Sequence, residues 1–144
     1  MAEFFKQSNC VYSCWYHLVF ATKYRRKIFT DKTWPFFRRS FYETIKRHPD
    51  IKIKEINHDR DHVHLLVSIP PKMSVGDAVQ ILKGSTSLVL RKAMRPFWDK
   101  VYKGHSGIWS DGYFVSTTGI NAEVIQRYIQ HQGNEDCGQA KLDL

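Results

Sequence analysis

The order of hydrophobic and polar residues predicts alternating strands and helices along the chain. Residues 11–22, VYSCWYHLVFAT, are rich in β-branched and aromatic side chains and predict a long strand. A helix is predicted from Asp31 to His48, with the first of these residues as its N-cap, because Phe37, Phe41 and Ile45 recur every four residues.

Two further strands are predicted close together after this helix. Residues 51–56, IKIKEI, alternate between apolar and polar positions, as a half-buried strand does. The polar residues 57–61 are typical of a turn, and Val63 to Ile69 forms the next strand before two prolines end it. The two strands are therefore separated by a turn and not by a helix.

The second half of the chain repeats the alternation. A helix is predicted from Ser74, which forms a capping box with the acidic residue three positions later, to Pro96. Residues 113–118, YFVSTT, predict a short strand. A last helix is predicted from Asn121 to Gln132, with Gly133 as its C-terminal stop.

The order β-α-β-β-α-β-α predicts an α+β fold. Two split βαβ units form a ferredoxin-like, or RRM-like, βαββαβ antiparallel sheet with two helices on one face, and the last helix is additional. The 144 residues, 42% hydrophobic and 25% charged, suit one domain over 1–144. Its core is expected over about 11–133, followed by a short tail, 134–144.

The composition also predicts where the protein is found. No apolar run reaches the length of a membrane span, and the first ten residues, MAEFFKQSNC, lack the apolar centre of a signal peptide. We therefore expect a soluble protein of the cytoplasm. Cys10, Cys14 and Cys137 are odd in number and are expected to be free thiols.

The net charge points to a polyanionic partner. Twenty-two Lys and Arg residues against 14 Asp and Glu give +8, with an isoelectric point near 9.5. Aromatic residues lie among the basic ones, and aromatic rings can stack on unpaired bases, so single-stranded nucleic acid is a natural ligand. Ordinary solvated basic surfaces would give the same composition.

The stretch 58–71, HDRDHVHLLVSIPP, contains a candidate metal site. Side chains alternate along a strand, so the apolar residues at odd positions from Val63 to Ile69 face the core, whereas His62 and His64 share the other face. Their Cα atoms are about 7 Å apart, which suits two imidazoles that bind one ion. Two half-exposed histidines on a polar face are the alternative.

The last helix adds two candidates. Tyr128 and Gln132 are four residues apart and share one helical face. The tyrosine is either one more core aromatic residue or a nucleophile. The glutamine is either an ordinary polar residue near a helix end or an oxygen ligand. The residues alone leave both interpretations open.

Four segments together resemble a known family. The segment HVHLLV resembles the HUH motif (His, bulky apolar, His) of endonucleases that cut single-stranded DNA with a tyrosine. The chain is similar from about residue 11 to residue 133 to the small single-tyrosine transposases, TnpA, of the IS200/IS605 class of bacterial and archaeal insertion sequences. The segments that carry this resemblance are YHLVFATKYRRKIF (16–29), HDRDHVHLLVSIPP (58–71), GYFVSTTG (112–119) and VIQRYIQHQ (124–132).

The resemblance implies an active site. His62, His64 and Gln132 would ligate a divalent ion, Mg²⁺ or Mn²⁺, and Tyr128 would attack a phosphodiester. The products would be a 5′-phosphotyrosine bond and a free 3′-hydroxyl, and rejoining would need no ATP. A divalent ion would assist a nucleophile whose ordinary pKa is near 10.

Other residues compete for places near the ion, and the family implies particular partners. Glu55, His58 and Asp61 are close enough in sequence to ligate the ion or to support a ligand. The family implies a homodimer in which the tyrosine helix of one subunit completes the histidine site of the other, and Gly119 is compatible with a movable connection. It also implies binding of hairpins in single-stranded element ends. The candidate DNA-binding residues are Lys23, Tyr24, Arg25, Arg26, Lys46, Lys52, Lys54, Lys83 and Arg91.

Three other functions remain as alternatives. A non-catalytic single-strand binder of the RRM kind would need an aromatic platform on the face that carries the histidines. A phosphodiesterase that activates water through paired H-x-[ST] motifs would need two such motifs, and the chain has one H-x-H. A domesticated relative that processes genomic repeats would keep similar catalytic residues.

Overall fold

A computed structural model describes residues 3–93, 95, 96, 100, 107–117 and 122–136. The strands and long helices, in chain order, are β1 (Phe5–Gln7), β2 (Cys10–Tyr12), β3 (Trp15–Ala21), α1 (Trp34–Arg47), β4 (Lys52–His58), β5 (His62–Ser68), α2 (Val75–Ala93), β6 (Phe114–Ser116) and α3 (Ala122–Asp136). A 3-10 turn, Lys23–Arg25, follows β3.

The main sheet has the strand order β4-β5-β3-β6, and every neighbouring pair is antiparallel. The two central strands are paired along their whole length, from Trp15 opposite Ser68 to Ala21 opposite His62. With α1 and α2 connecting the strands, this is the ferredoxin-like βαββαβ arrangement that the element order predicts.

The first predicted strand is divided in the structure. Residues 11–22 contribute to two strands, β2 and β3, and the first of these pairs with β1 in a separate hairpin. Asn9 has a positive φ of 60° in the turn of this hairpin, a conformation that asparagine tolerates. Strands of three residues are too short to show a clear alternation, which is why the sequence pattern did not reveal the hairpin.

The start of α1 differs from the prediction. Thr33, and not Asp31, occupies the N-cap position. The Thr33 hydroxyl accepts a hydrogen bond from the Thr30 backbone N–H at 2.8 Å and donates one to the Ile28 carbonyl at 2.5 Å. These bonds form a turn before the helix, so the predicted Asp31 cap is wrong.

The second helix begins as predicted. The Asp77 backbone N–H donates to the Ser74 hydroxyl at 3.0 Å, which is the N-cap bond of the predicted capping box. The helix is described without interruption to Ala93, close to the predicted end at Pro96. Within the described residues, no helix is both long and apolar enough to cross a membrane.

The last helix runs further than predicted. It continues through Gly133 to Asp136, so the predicted stop at the glycine is wrong. The final turn is held by side-chain contacts, because the Asp136 carboxylate accepts hydrogen bonds from the Ser110 hydroxyl and the Tyr24 backbone N–H, both at 2.8 Å. Gly119, the proposed flexible connection before this helix, lies outside the described residues.

The main core lies between one face of the sheet and helices α1 and α2. The odd-numbered residues of β5, from Val63 to Val67, are fully buried there, and Leu18 and Phe20 of β3 join them, as the alternation predicts. The helices contribute Phe37, Phe41, Ala78, Val79, Leu82 and Leu90.

The additional helix α3 packs on the opposite face of the sheet. Val19 of β3 is fully buried against Tyr128 and Ile129, with Phe114 and Ile125 at the margin of this small cluster. Helix α3 therefore lies on the face that carries the even-numbered residues of β5, and this arrangement determines the surroundings of the histidines.

Candidate active site

His62 and His64 lie on the same face of β5, as predicted. In the pairing with β3, His62 is opposite Ala21 and His64 is opposite Val19. His62 is only 8% exposed, whereas His64 is half-buried. The histidines therefore lie next to the surface on which α3 packs.

Asp61 orients His62. One carboxylate oxygen, Oδ1, lies 2.9 Å from His62 Nδ1, and both side chains are buried. Burial alone would raise the pKa of Asp61, but the hydrogen bond and charge of His62, together with Arg25, lower it. Because an ionised carboxylate only accepts hydrogen bonds, Nδ1 carries the proton and Nε2 is the nitrogen left for a metal ion.

His17 is a third histidine at the site, and the sequence analysis missed it. Its Nδ1 lies 3.1 Å from His64 Nε2, and the two rings are 5.3 Å apart between centroids. Burial lowers the pKa of His64, and the nearby His17 lowers it further, against the opposing charge of Glu55. A lowered pKa keeps the imidazole neutral, which is the form that binds metal.

Tyr128 lies on the face of α3 that packs against the sheet and is buried there. The side chain is 4% exposed and contacts Val19, and its ring packs edge-on against Phe114 with centroids 5.9 Å apart. Its hydroxyl has no hydrogen-bond partner among the described residues. Burial raises the pKa of Tyr128 well above its ordinary value, with Asp136 and Glu135 adding to the rise, so the phenol is neutral here.

Gln132 shares the buried face of α3 with Tyr128, as predicted. Its Nε2 donates hydrogen bonds to the Ser110 hydroxyl at 3.0 Å and to the Asp111 carbonyl at 2.5 Å. Its Oε1 lies close to Gly112, where a Cβ atom would be 3.0 Å away. Within the described residues, the hydrogen bonds of this amide therefore go to the 110–112 loop and not to either histidine.

The three other residues that the sequence offers as metal ligands or supports, Glu55, His58 and Asp61, lie in different places. Asp61 supports His62, as described above. Glu55, on β4, pairs opposite Leu66 of β5 and is exposed. It is near enough for its charge to affect His64. His58 pairs opposite Val63 and stacks on Trp34, with ring centroids 3.9 Å apart, so it is near the other face of the sheet.

The donor set fits a divalent ion with open coordination positions. The imidazoles of His62 and His64, on one face of the sheet, would supply nitrogen ligands, and the Gln132 amide oxygen on the adjacent helix would supply a third ligand. No cluster of three or more His, Cys, Asp or Glu side chains in the described ranges has metal-binding geometry. An ion held by His62 and His64 would therefore take its remaining ligands from Gln132, water or substrate.

Three of the candidate DNA-binding residues make contacts within the protein. The Lys23 ammonium lies 3.7 Å from Asp136, and the Arg25 guanidinium lies 3.4 Å from Asp61. The Lys83 ammonium donates hydrogen bonds to the carbonyls of Ser110, at 2.9 Å, and Gly112.

The other candidates lie nearer to the surface. Lys54, on the edge strand β4, lies over the Trp15 ring at 5.3 Å and pairs with Glu3 at 3.3 Å. The Arg26 guanidinium lies 5.5 Å from the exposed ring of Tyr24. Lys52 lies over an aromatic ring of the N-terminal hairpin, and Lys46 and Arg91 are exposed in the last turns of α1 and α2.

The fold has counterparts in solved structures. A crystal structure of a Deinococcus radiodurans R1 protein described as a transposase superposes with a TM-score of 0.77 at 27% identity, and the match covers 88% of this chain and 96% of that one. A REP-associated tyrosine transposase bound to a REP hairpin superposes with a TM-score of 0.52 at 11% identity, over 96% of this chain and 74% of that one. The second likeness shows the fold alone.

Sequence comparisons identify the family. The transposase for insertion sequence element IS200 of Salmonella typhimurium strain LT2 is 39% identical over 129 residues, which cover 87% of this chain and 80% of that protein. The ISDra2 transposase TnpA of D. radiodurans is 27% identical over 135 residues, 93% of this chain and 94% of that protein. The family model for IS200-like transposases matches residues 10–132. With a match over most of its length, this chain belongs to the IS200-like transposase family.

Proposed function

We propose that this transposase cleaves and rejoins single-stranded DNA, with Tyr128 as the nucleophile and a divalent ion, Mg²⁺ or Mn²⁺, held by His62, His64 and Gln132. The observation that carries the proposal is the position of Val19. This residue is paired opposite His64 in the sheet and is packed against Tyr128, so the candidate ligand and the candidate nucleophile adjoin the same residue.

The chemistry exchanges one phosphate ester for another. The Tyr128 oxygen attacks the phosphorus and loses its proton, the bond from phosphorus to the 3′ oxygen breaks, and that oxygen gains a proton. The products are a 5′-phosphotyrosine ester and a 3′-hydroxyl, so the ester is conserved and rejoining requires no ATP. A bound divalent ion would polarise the phosphate and stabilise the charge of the transition state. Asp61 keeps the His62 imidazole oriented during these steps.

The docked position of Tyr128 is a resting position in this proposal. A phenol that is 4% exposed, with a raised pKa and no hydrogen-bond partner in the described part of the chain, cannot attack DNA where it lies. Helix α3 must move for cleavage to occur. We propose that it moves within a homodimer, so that the tyrosine helix of one protomer completes the histidine site of the other.

The first experiment tests the nucleophile. With Mn²⁺ or Mg²⁺ and a single-stranded oligonucleotide that carries a hairpin from an element end, the wild-type protein is expected to form an SDS-resistant protein–DNA adduct. Tyr128→Phe removes the attacking oxygen and is expected to abolish the adduct, whereas Tyr42→Phe, a half-buried tyrosine on α1, is the matched control. Persistence of the adduct in Tyr128→Phe would exclude the proposed nucleophile.

The second experiment tests where DNA binds. Lys54 and Trp15 form a basic and aromatic pair beside the histidine face, because Trp15 is on the same side of β3 as Val19. Loss of one phosphate contact lowers the salt dependence of binding to single strands, the slope of log K against log salt, by about 0.7. Lys54→Ala is expected to show that loss. Lys46→Ala changes an exposed lysine on α1, on the opposite side of the sheet, and is expected to leave the slope unchanged. Equal slopes for all three proteins would contradict this DNA path.

A further inference from the structure

The turn after β3 is held in an unusual backbone conformation. Tyr24 and Arg25 have positive φ angles of 60° and 53°, which are uncommon for residues with large side chains. Backbone hydrogen bonds fix the turn: the Thr22 N–H donates to the Asp61 carbonyl at 2.9 Å and the Lys23 N–H to the Ile108 carbonyl at 2.7 Å. Backbone strain of this kind persists where surrounding contacts over-determine it, and it is concentrated at functional sites.

This conformation directs the Arg25 side chain between two parts of the molecule. Its Nε lies 3.4 Å from Asp61 Oδ2, an ion-pair distance, and one terminal nitrogen donates a hydrogen bond to Gln130 of α3 at 2.5 Å. The aliphatic part of the side chain crosses α3 at Gly133. A Cβ atom at that position would be 2.7 Å from Cγ of Arg25 and closer still to Cδ, so only glycine leaves room for it.

The other oxygen of the Asp61 carboxylate holds His62 Nδ1 at 2.9 Å. A continuous series of contacts therefore runs from Gln130 and Gly133 on α3, through Arg25 and Asp61, to His62. The helix that carries Tyr128 and the strand that carries the histidines are joined by one guanidinium.

We propose that Arg25 is a positioning residue that couples the docking of α3 to the orientation of His62. With α3 docked, Arg25 is held in place and in turn holds the carboxylate that orients the imidazole. When α3 leaves, Arg25 loses its contacts with Gln130 and Gly133, and the support of His62 weakens. The inference rests on the proposed role of His62 as a metal ligand. It makes metal affinity depend on whether α3 is docked, because the contacts with Arg25 and Asp61 transmit that docking to His62.

The test uses the full-length protein and Mn²⁺ alone, with free Mn²⁺ measured by electron paramagnetic resonance. Partners of metal-binding histidines typically contribute 10–100-fold to metal affinity, so Arg25→Gln is expected to weaken Mn²⁺ binding about tenfold. Arg25→Lys keeps the charge but not the planar fork and is expected to restore part of the affinity.

Gly133→Ala is the sharper variant, because it changes no ionisable group. It is expected to displace Arg25 and to weaken Mn²⁺ binding to an extent similar to that of Arg25→Gln. Gly84→Ala is the matched control, since a Cβ atom at this exposed position of α2 would meet nothing within 4 Å. Thermal unfolding without metal establishes that each variant is folded.

The possible outcomes separate the two proposals. If His62→Ala weakens Mn²⁺ binding but Arg25→Gln and Gly133→Ala do not, the coupling is wrong and the metal site stands. If His62→Ala leaves Mn²⁺ binding unchanged, the proposed metal role fails, and the coupling fails with it. If Arg25→Gln and Gly133→Ala weaken binding also in a Gln132→Ala background, where α3 supplies no ligand from that position, and Gly84→Ala does not, the coupling is supported.

Discussion

Lys83 illustrates how burial changes the role of a charged side chain. Its ammonium group donates hydrogen bonds to the carbonyls of Ser110 and Gly112 and lies 5.4 Å from the centre of the Phe20 ring. Burial lowers the pKa of Lys83 to about 8, even though the nearby acidic residues oppose the shift. The side chain therefore holds the loop that also holds Gln132, and this role is separate from the predicted contact with DNA.

The lowered pKa predicts a pH dependence of stability. The unfolded chain keeps the Lys83 proton up to about its ordinary pKa of 10.5, whereas the folded protein releases it near pH 8. Between these values the unfolded state binds more protons, so the free energy of unfolding rises with pH. We expect the free energy of unfolding of the wild type, measured with urea at about pH 7.5, 8.5 and 9.5, to rise along this series.

Lys83→Met, which keeps most of the length of the side chain and removes its ammonium group, is the variant that checks this assignment. It is expected to flatten the rise over the same pH range. The measurements stay below about pH 10, where tyrosines begin to ionise in the unfolded chain. The same slope in both proteins would mean that another group titrates.

The sequence predicted some residues of the site and not others, for a physical reason. His62 and His64 could be assigned to one face because alternation along a strand is a local property. His17 could not be placed beside them, because the contact depends on the register between β3 and β5, which are 40 or more residues apart in the chain. The role of Arg25 depends on a left-handed turn that its residue types do not predict.

At the scale of elements, the C-terminal end of α3 is held by two short segments outside the main sheet. The 3-10 turn and the 110–112 loop both meet its last turn, where the Asp136 carboxylate accepts hydrogen bonds from Ser110 and from the Tyr24 backbone. The Asp136 side chain is only 2% exposed. A buried side chain that accepts two hydrogen bonds in this way contributes more to stability than a surface ion pair does.

Asp136→Ala is therefore expected to release α3. The loss of charged hydrogen bonds worth about 1.5–3 kcal/mol each should speed hydrogen exchange of the amides of Ala122–Asp136 about tenfold or more, with α2 unaffected. Glu135→Ala is the neighbouring control, because Glu135 is exposed and pairs with His131 in the same helix. Equal protection of α3 in both variants would show that Asp136 does not control docking.

Boundaries of elements were harder to predict than their existence. The sequence pattern found the four strands of the main sheet and the three long helices, but it ended the last helix at Gly133 and capped the first with Asp31. The two errors have different origins: a tertiary contact accounts for the glycine inside the last helix, whereas a local turn sets the start of the first. Arg25 needs the space at Gly133, and the Thr33 hydroxyl bonds to a preceding carbonyl.

At the scale of the whole molecule, the two faces of the sheet differ in how much apolar surface they bury. One face carries the main core with α1 and α2, and the other carries the histidines and the smaller cluster around Val19. Among the residues that the structure describes, the cluster under α3 has three buried apolar residues, whereas the main core has many more. Undocking α3 therefore exposes less apolar surface, and requires less free energy, than removing an element of the main core.

Mixed dimers test whether α3 acts on a second copy of the chain. A mixture of equal amounts of the Tyr128→Phe protein and the His62→Ala protein, after exchange of subunits, contains heterodimers in half of the dimers. If the active site is shared between protomers, each heterodimer has one complete site, so adduct formation returns to about a quarter of the wild-type yield. If each protomer uses its own tyrosine, the mixture stays inactive, as each variant is alone.

The alternation of β5 also limits how the strand can vary in length. The odd positions face α1 and α2 and the even positions face the side on which α3 packs, so each face is defined by every second residue. Removing one residue between His64 and Ile69 would turn either the histidines towards the helices or the apolar residues away from them. Removing two residues would preserve both faces and shorten the strand. Relatives that differ in length within this strand are therefore expected to differ by pairs of residues.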